Sequence, residues 1–365
     1  MTLYEFLKIG KNLRRLRLIV GLMLYLFDYG SDIFVAFQYW KHNEYWWFGL
    51  TTGLIVVPSI IVNITAISKL MTETRKSVFD CTLHLSVVIR YMETLVSLDS
   101  SDIYFLTKLR YLETITESAP QWCLQVYIML RQWSFPSYTV VSIVLSFLSL
   151  AWSITTLEKE RKLHEMKSFN FCAAVLFLIW QLSTLVSRLS AIVIVAYVFR
   201  YYVIVFLAVH WWLVTMTMQA IQQEKFNCRE SFILSCLVGY PSFFHSLKTV
   251  LPTASPNFEM IVSLAYIIAE NVGCVLLLFL VHPNSDVQHV DVLKPILILC
   301  IAAGTDSSFI FFNFYYYRFE LDSLETVQSQ VYGRSGEARV VVLGGQNLSA
   351  EGASLTSGVR GYTSR

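Results

Sequence analysis

The stretch 103–132, IYFLTKLRYLETITESAPQWCLQVYIMLRQ, is long and apolar enough to cross a bilayer as a helix, yet it carries Glu113, Glu117, Gln121 and Gln125 at intervals of four. That interval stacks two carboxylates and two amides on one helix face. An ionised side chain in hydrocarbon costs at least about 2.5 kcal/mol even on the lenient insertion scales. The stripe must therefore face a protein interior or a polar path, not lipid. Pro120 lies inside it and removes one backbone donor, which predicts a kink or a local opening of the helix. On these residues alone, a buried seam that fixes helix packing and a functional pathway fit equally well.

Composition settles the class. Of 365 residues, 55% are hydrophobic and 15% charged, with a mean hydropathy of +0.53. Soluble domains carry nearer a quarter charged residues. The expected fold is an all-α polytopic membrane protein. The net charge of +2 leaves no global field for nucleic acid, so no nucleic-acid partner is expected. No CxxC or HExxH cluster and no glycine-rich phosphate loop occurs, so neither metal, cofactor nor enzyme chemistry is expected. The seven cysteines fall mostly within apolar runs, where small buried thiols are the ordinary outcome, and no disulfide framework can be read from them.

Taken in order, residues 1–17 are basic (Lys8, Lys11, Arg14, Arg15, Arg17) and place a cytosolic N-terminus ahead of the first span, 18–40, which holds Asp28 and Asp32 on one face. The turn WKHNEYWW, 40–47, leads to a second span at 48–68. Residues 78–98 are apolar but contain His84, Arg90 and Glu93. If they crossed fully, the basic loop EKERKLHEMK at 158–167 would lie outside, against the positive-inside tendency; a re-entrant helix avoids this. A span at 137–157 precedes that loop. Residues 168–199 carry Gln181 and Arg188 and turn at Arg200-Tyr201-Tyr202 into 203–221, where His210 is expected to be a satisfied core histidine. Gly239-Tyr240-Pro241 interrupts 231–250 and marks a second re-entrant helix. Residues 258–281 hold Glu270, and 292–317 hold Asp306. The expectation is a transmembrane domain at 18–317 with eight spans and two re-entrant helices, suggesting an internal repeat, followed by a mobile cytosolic tail at 318–365.

The charges expected inside membrane are Asp28, Asp32, Arg90, Glu113, Glu117, Arg188, Glu270 and Asp306, read as one buried polar network. It could clamp the bundle, line a track for lipid headgroups, or bind a small cation or solute.

The motif Glu113-Thr114-Ile115-Thr116-Glu117-Ser118-Ala119-Pro120-Gln121, followed by Leu124-Gln125-Val126-Tyr127, resembles the signature helix of the XK-related membrane proteins. Asp28 and Asp32, Leu83-His84-Leu85 with Arg90 and Tyr91, and Arg188 look similar too. The resemblance implies eight spans, two re-entrant helices, cytosolic termini, and a place among proteins that include phospholipid scramblases exposing phosphatidylserine in apoptosis at the plasma membrane. It implies membrane phospholipids as partners, a single-span glycoprotein partner or a homo-oligomer, and a headgroup path at Asp28, Asp32, Arg90, Glu113, Glu117, Gln121 and Arg188, with Glu270 and Asp306 as secondary candidates. Several family members are switched on by caspase cleavage in a terminal cytosolic segment. Here no Asp precedes Asp28, and the tail's Asp322, in Phe319-Glu320-Leu321-Asp322, lacks the favoured acidic residue three places before it, so it is a poor caspase site. The competing functions are a small-cation or solute transporter and a structural subunit of a membrane complex.

Overall fold

The structure, a computed structural model, describes residues 3–73, 85–164, 169–200, 202–222, 265, 268–276 and 290–315. Among these every regular element is a helix. They are α1 (Leu3–Lys41), α2 (Tyr45–Glu73), α3 (Leu85–Ser97), α4 (Ser100–Thr116), α5 (Ser118–Gln132), α6 (Ser137–His164), α7 (Phe171–Phe199), α8 (Tyr202–Gln222), a helical run at 268–276, and α9 (Val290–Tyr315). Helices α1, α2, α6, α7 and α9 contain apolar stretches long enough to cross a bilayer, and α8 holds a shorter one, 202–216. The chain is thus a polytopic helical membrane protein. The expected eight-plus-two count, the second re-entrant helix at 231–250 and the tail at 318–365 lie wholly or partly outside the described residues.

Two tight corners fold the chain back on itself. Asn43 (φ 60) joins α1 to α2, and Arg200 (φ 50) joins α7 to α8. Both sit where WKHNEYWW and Arg200-Tyr201-Tyr202 predict them. Asp99 caps α4, accepting from the Ser100 N–H at 2.8 Å and the Ser101 hydroxyl at 2.6 Å. These bonds favour its ionised form and hold its carboxyl below the usual range.

Side-chain contacts assign the helix ends to two faces of the bundle. Arg17 near the start of α1 pairs with Glu160 at the end of α6. Tyr104 at the start of α4 stacks on His164, ring centroids 5.1 Å apart. At the opposite face, Gln132 at the end of α5 donates to Glu44 in the α1–α2 turn at 2.9 Å. Consequently α4 and α5 cross the bundle together, as one broken helix. The fracture is at Glu117, whose backbone (φ −109, ψ −69) ends α4 and begins α5. The 103–132 stretch therefore does not form one continuous helix. The opening falls three residues before Pro120, within reach of the carbonyls that its ring and missing N–H disturb.

The described part of α3, Leu85–Ser97, spans about 20 Å at 1.5 Å per residue. Its Val87 and Tyr91 pack with Leu18 and Leu22 of α1 and Leu106 of α4, in the half of the bundle near Arg17. Met92 and Val96 on its other side are exposed.

Helix α1 runs unbroken from Leu3 through the basic segment into the first span. The segment 158–167 is not a loop through its length: α6 continues to His164, and Glu158, Glu160 and Lys162 are only 3%, 6% and 3% exposed. Arg161 grips Glu158 through two bonds at 3.0 and 2.7 Å, so opposite charges at helical spacing carry the helix through the polar end.

Helix α6 packs against α1, α4, α5 and α7 and is the hub of this half. Helix α7 is enclosed nearly all round at residues 187–195, as a helix apolar on every face should be. Its Val193, Ile194 and Tyr197 pack with Leu130 of α5 and Leu297 and Ile301 of α9. At Gly304, α9 comes so near α7 that an added Cβ would lie 2.9 Å from the Ser183 carbonyl oxygen and the Ser187 nitrogen. Only glycine fits that crossing.

Candidate functional site

The acidic pair of α1 meets the broken helix and α6 in one buried stripe. Asp32 accepts from Gln125 at 2.9 Å and from Ser142 at 2.6 Å, both on Oδ1. One helical turn away, Asp28 accepts from Ser118 at 2.8 Å and Ser146 at 2.6 Å. Next along the stripe, Arg110 binds Glu113, donates to Ser149 at 3.1 Å, and lies over the Tyr25 ring at 4.4 Å. Glu117 is buried within electrostatic reach of Asp28, Asp32, Glu113 and Arg110. At the end of the stripe Arg17 pairs with Glu160.

A serine ladder on α6 supplies the matching donors. Ser142, Ser146, Ser149 and Ser153 fall at steps of four, three and four, which keeps them on one helix face. Hydrogen bonds to ionised groups are worth about 1.5–3 kcal/mol each, so each two-donor set offsets much of what burial takes from its aspartate. Compensation is incomplete elsewhere. Both amide atoms of Gln121, the Oε1 of Gln125 and the hydroxyl of Ser153 are buried without a hydrogen-bond partner. From Ser142 to Glu160 the stripe runs eighteen residues of α6, about 27 Å. The hydrocarbon core of a bilayer is about 30 Å thick. The polar seam is thus long enough to reach across it.

A second cluster lies on other helices. Arg188 of α7 pairs with Glu270, which also binds His210 of α8. Asn271 approaches Arg188 at 3.5 Å and donates to Thr305 of α9 at 2.9 Å. His210 is the satisfied core histidine expected, buried and held by the Glu270 carboxylate. No group of metal-ligating side chains occurs among the described residues.

Asp28, Asp32, Glu113, Glu117, Gln121 and Gln125 come together along the stripe. Arg188 and Glu270 meet in the second group of contacts. Arg90 does not enter the buried stripe: it is partly exposed, 3.6 Å from Glu93 and over the Phe105 ring at 5.7 Å. Asp306 is exposed on the outer side of α9. Asp322 lies outside the described residues.

Three parts of the site escaped the sequence reading. Arg110 sits in the very stretch that was singled out, and its i, i+3 spacing to Glu113 was the available signal. The serine ladder was passed over as a clean apolar span, although its four serines share a face. The Arg17–Glu160 pair joins residues 143 positions apart and left no local trace.

The sequence model described as XK-related protein matches residues 16–320. The chain is 25% identical over 241 residues to "XK-related protein 8" of Tetraodon nigroviridis, covering 57% of this chain and 59% of that protein. It is 22% identical over 221 residues to "XK-related protein 8" of Gasterosteus aculeatus, covering 50% of this chain and 54% of that protein. The matched region thus spans between half and two thirds of the length of these curated relatives.

Proposed function

We propose, from the premise that this chain belongs to the XK-related family, that it moves phospholipids between leaflets without energy input. The reading rests chiefly on one observation: a buried polar stripe of about 27 Å along α6, nearly the thickness of the hydrocarbon core. Scrambling makes no covalent change and needs no cofactor. It needs only a lower barrier for a polar headgroup while the acyl chains stay in lipid. Excess carboxylate at Asp28, Asp32, Glu113 and Glu117 against Arg110 suits the ammonium of choline, ethanolamine or serine heads. Gln121 and Gln125 supply uncommitted amide atoms that a passing headgroup can engage.

Phosphatidylserine exposure during apoptosis, at the plasma membrane with both termini cytosolic, is the finer form of this proposal and follows from the resemblance of the signature helix. A single-span glycoprotein or a second copy of the chain is the partner that the same resemblance suggests. The structural-clamp alternative has its own support, since each aspartate already accepts two hydrogen bonds from serine or amide donors of other helices.

The test is reconstitution of the full chain into liposomes carrying fluorescent phosphatidylserine or phosphatidylcholine, with external reductant. Bleaching of nearly all label supports lipid movement. Bleaching of about half, as in protein-free vesicles, favours the clamp or a cation pathway.

A further inference from the structure

The stripe ends in a cavity that the hydrogen-bonding scheme above leaves unused. It lies between α1, α3, α4 and α6, has a volume of about 20 Å³, and is lined by Arg17, Gly21, Tyr91, Arg110, Trp152 and Ser153 among others. Two of its polar atoms, the Arg17 Nε and the Ser153 Oγ, are buried without a hydrogen-bond partner. Ser153 is 4% exposed, so its hydroxyl cannot turn to bulk water. Buried donors of this kind are rare unless something occupies the space beside them.

The charge around the stripe changes sign at this point. Toward Asp32 there are four carboxylates to one arginine. Arg17 has Arg14, Lys159 and Glu160 as electrostatic neighbours, so with Arg17 itself there are three cations to one carboxylate. A group that offers oxygen atoms and negative charge is therefore favoured at the Arg17 end and disfavoured further in. Gly21 keeps the space open: a Cβ there would sit 3.0 Å from the Tyr91 hydroxyl and 3.5 Å from the Trp152 Nε1.

We propose that this cavity is a phosphate site, taking a phosphate oxygen between the Arg17 Nε and the Ser153 hydroxyl, with Trp152 and Tyr91 as further polar walls. The volume sets the mode of binding. About 20 Å³ holds one water-sized group, so a single oxygen enters and the rest of the phosphate stays outside the cavity, toward the field of Arg14 and Lys159, the electrostatic neighbours of Arg17. The phosphate comes either from a phospholipid headgroup or from free phosphate. In the first case the inference deepens the lipid-movement reading and rests on it: the phosphate docks at the Arg17 end while the cationic part of the head meets the carboxylates.

Binding can be read without flux. The full chain, purified in detergent at fixed ionic strength, is melted with inorganic phosphate, with dihexanoyl phosphatidate, and with dihexanoylglycerol as the uncharged control. Dihexanoylglycerol is expected to leave the melting temperature unchanged and a phosphate-bearing probe to raise it. A shift that inorganic phosphate alone saturates assigns free phosphate; a shift with phosphatidate only assigns the headgroup. Arg17→Gln and Ser153→Ala should each weaken the apparent affinity about tenfold, the loss of one charge-assisted or one buried hydrogen bond. Gly21→Ala removes no charge and fills the space, and should do the same. It and Ser153→Ala keep the test decisive if Arg17→Gln fails to fold. Equal affinity in wild type, Ser153→Ala and Gly21→Ala, or no shift with either phosphate probe, overturns the site. A chain that binds phosphate here but leaves half the label unbleached in liposomes keeps the site and loses the lipid-movement reading.

Discussion

Arg110 holds Glu113, reaches Ser149 and covers the Tyr25 ring, and it is the one cation among four buried carboxylates. Removing it takes the cation out of a buried ion pair. Breaking a buried pair from one side typically costs about 3–5 kcal/mol, so Arg110→Leu should give little folded protein, read as loss of the monodisperse peak and of the melting transition. Asp32 differs because no cation touches it. Its Oδ1 takes both donors, and an asparagine carbonyl can accept the same two bonds. Asp32→Asn is therefore expected to melt within a few degrees of wild type while removing a charge from the stripe. Arg110 was legible in the sequence and still missed, because attention to residues four apart skipped the residue three before Glu113. Arg90 was chosen instead, since an arginine in an apolar run draws notice wherever its side chain points. Which face of α3 it occupied was a matter of packing, and α3 turned Tyr91, not Arg90, toward α1.

At the scale of elements, the tie between α7 and α9 depends on Gly304, where the three atoms nearest an added Cβ belong to Ser183 and Ser187 of α7. Backbone cannot yield as a flexible side chain would. Gly304→Ala should destabilise the protein by about 1–3 kcal/mol, read by thermal melting, whereas Gly49→Ala, with nothing within 4 Å, should not be destabilised by contact. The second cluster makes a related prediction. Glu270 joins α7 to α8, so Glu270→Ala leaves Arg188 without its carboxylate and should cost several kcal/mol, whereas Glu270→Gln, which can still accept from Arg188, should cost less. Helix identities and the two corners were readable from apolar length and turn residues. The break at Glu117 was foreseen in kind from Pro120. The helical continuation of α6 through 158–164 was not, because a charge-dense segment reads as a loop until Arg17 and the Arg161–Glu158 pair are brought beside it.

On the scale of the whole molecule, the Arg17–Glu160 pair brings Arg17 of the basic N-terminal segment beside the basic end of α6. That is the arrangement the positive-inside argument requires if α3 does not cross. The stripe begins near the opposite end at Asp32 and ends at this one, passing from carboxylates to cations on the way. A headgroup path and a structural clamp share this geometry but differ in what neutralising Asp32 does. The most direct measurement is the rate of label bleaching in liposomes holding equal amounts of folded wild-type or Asp32→Asn chain. If the stripe carries headgroups, wild type bleaches nearly all label and Asp32→Asn slows the rate tenfold or more at an unchanged melting temperature. Equal rates for the two proteins would contradict the path, as would wild-type vesicles that retain half their label.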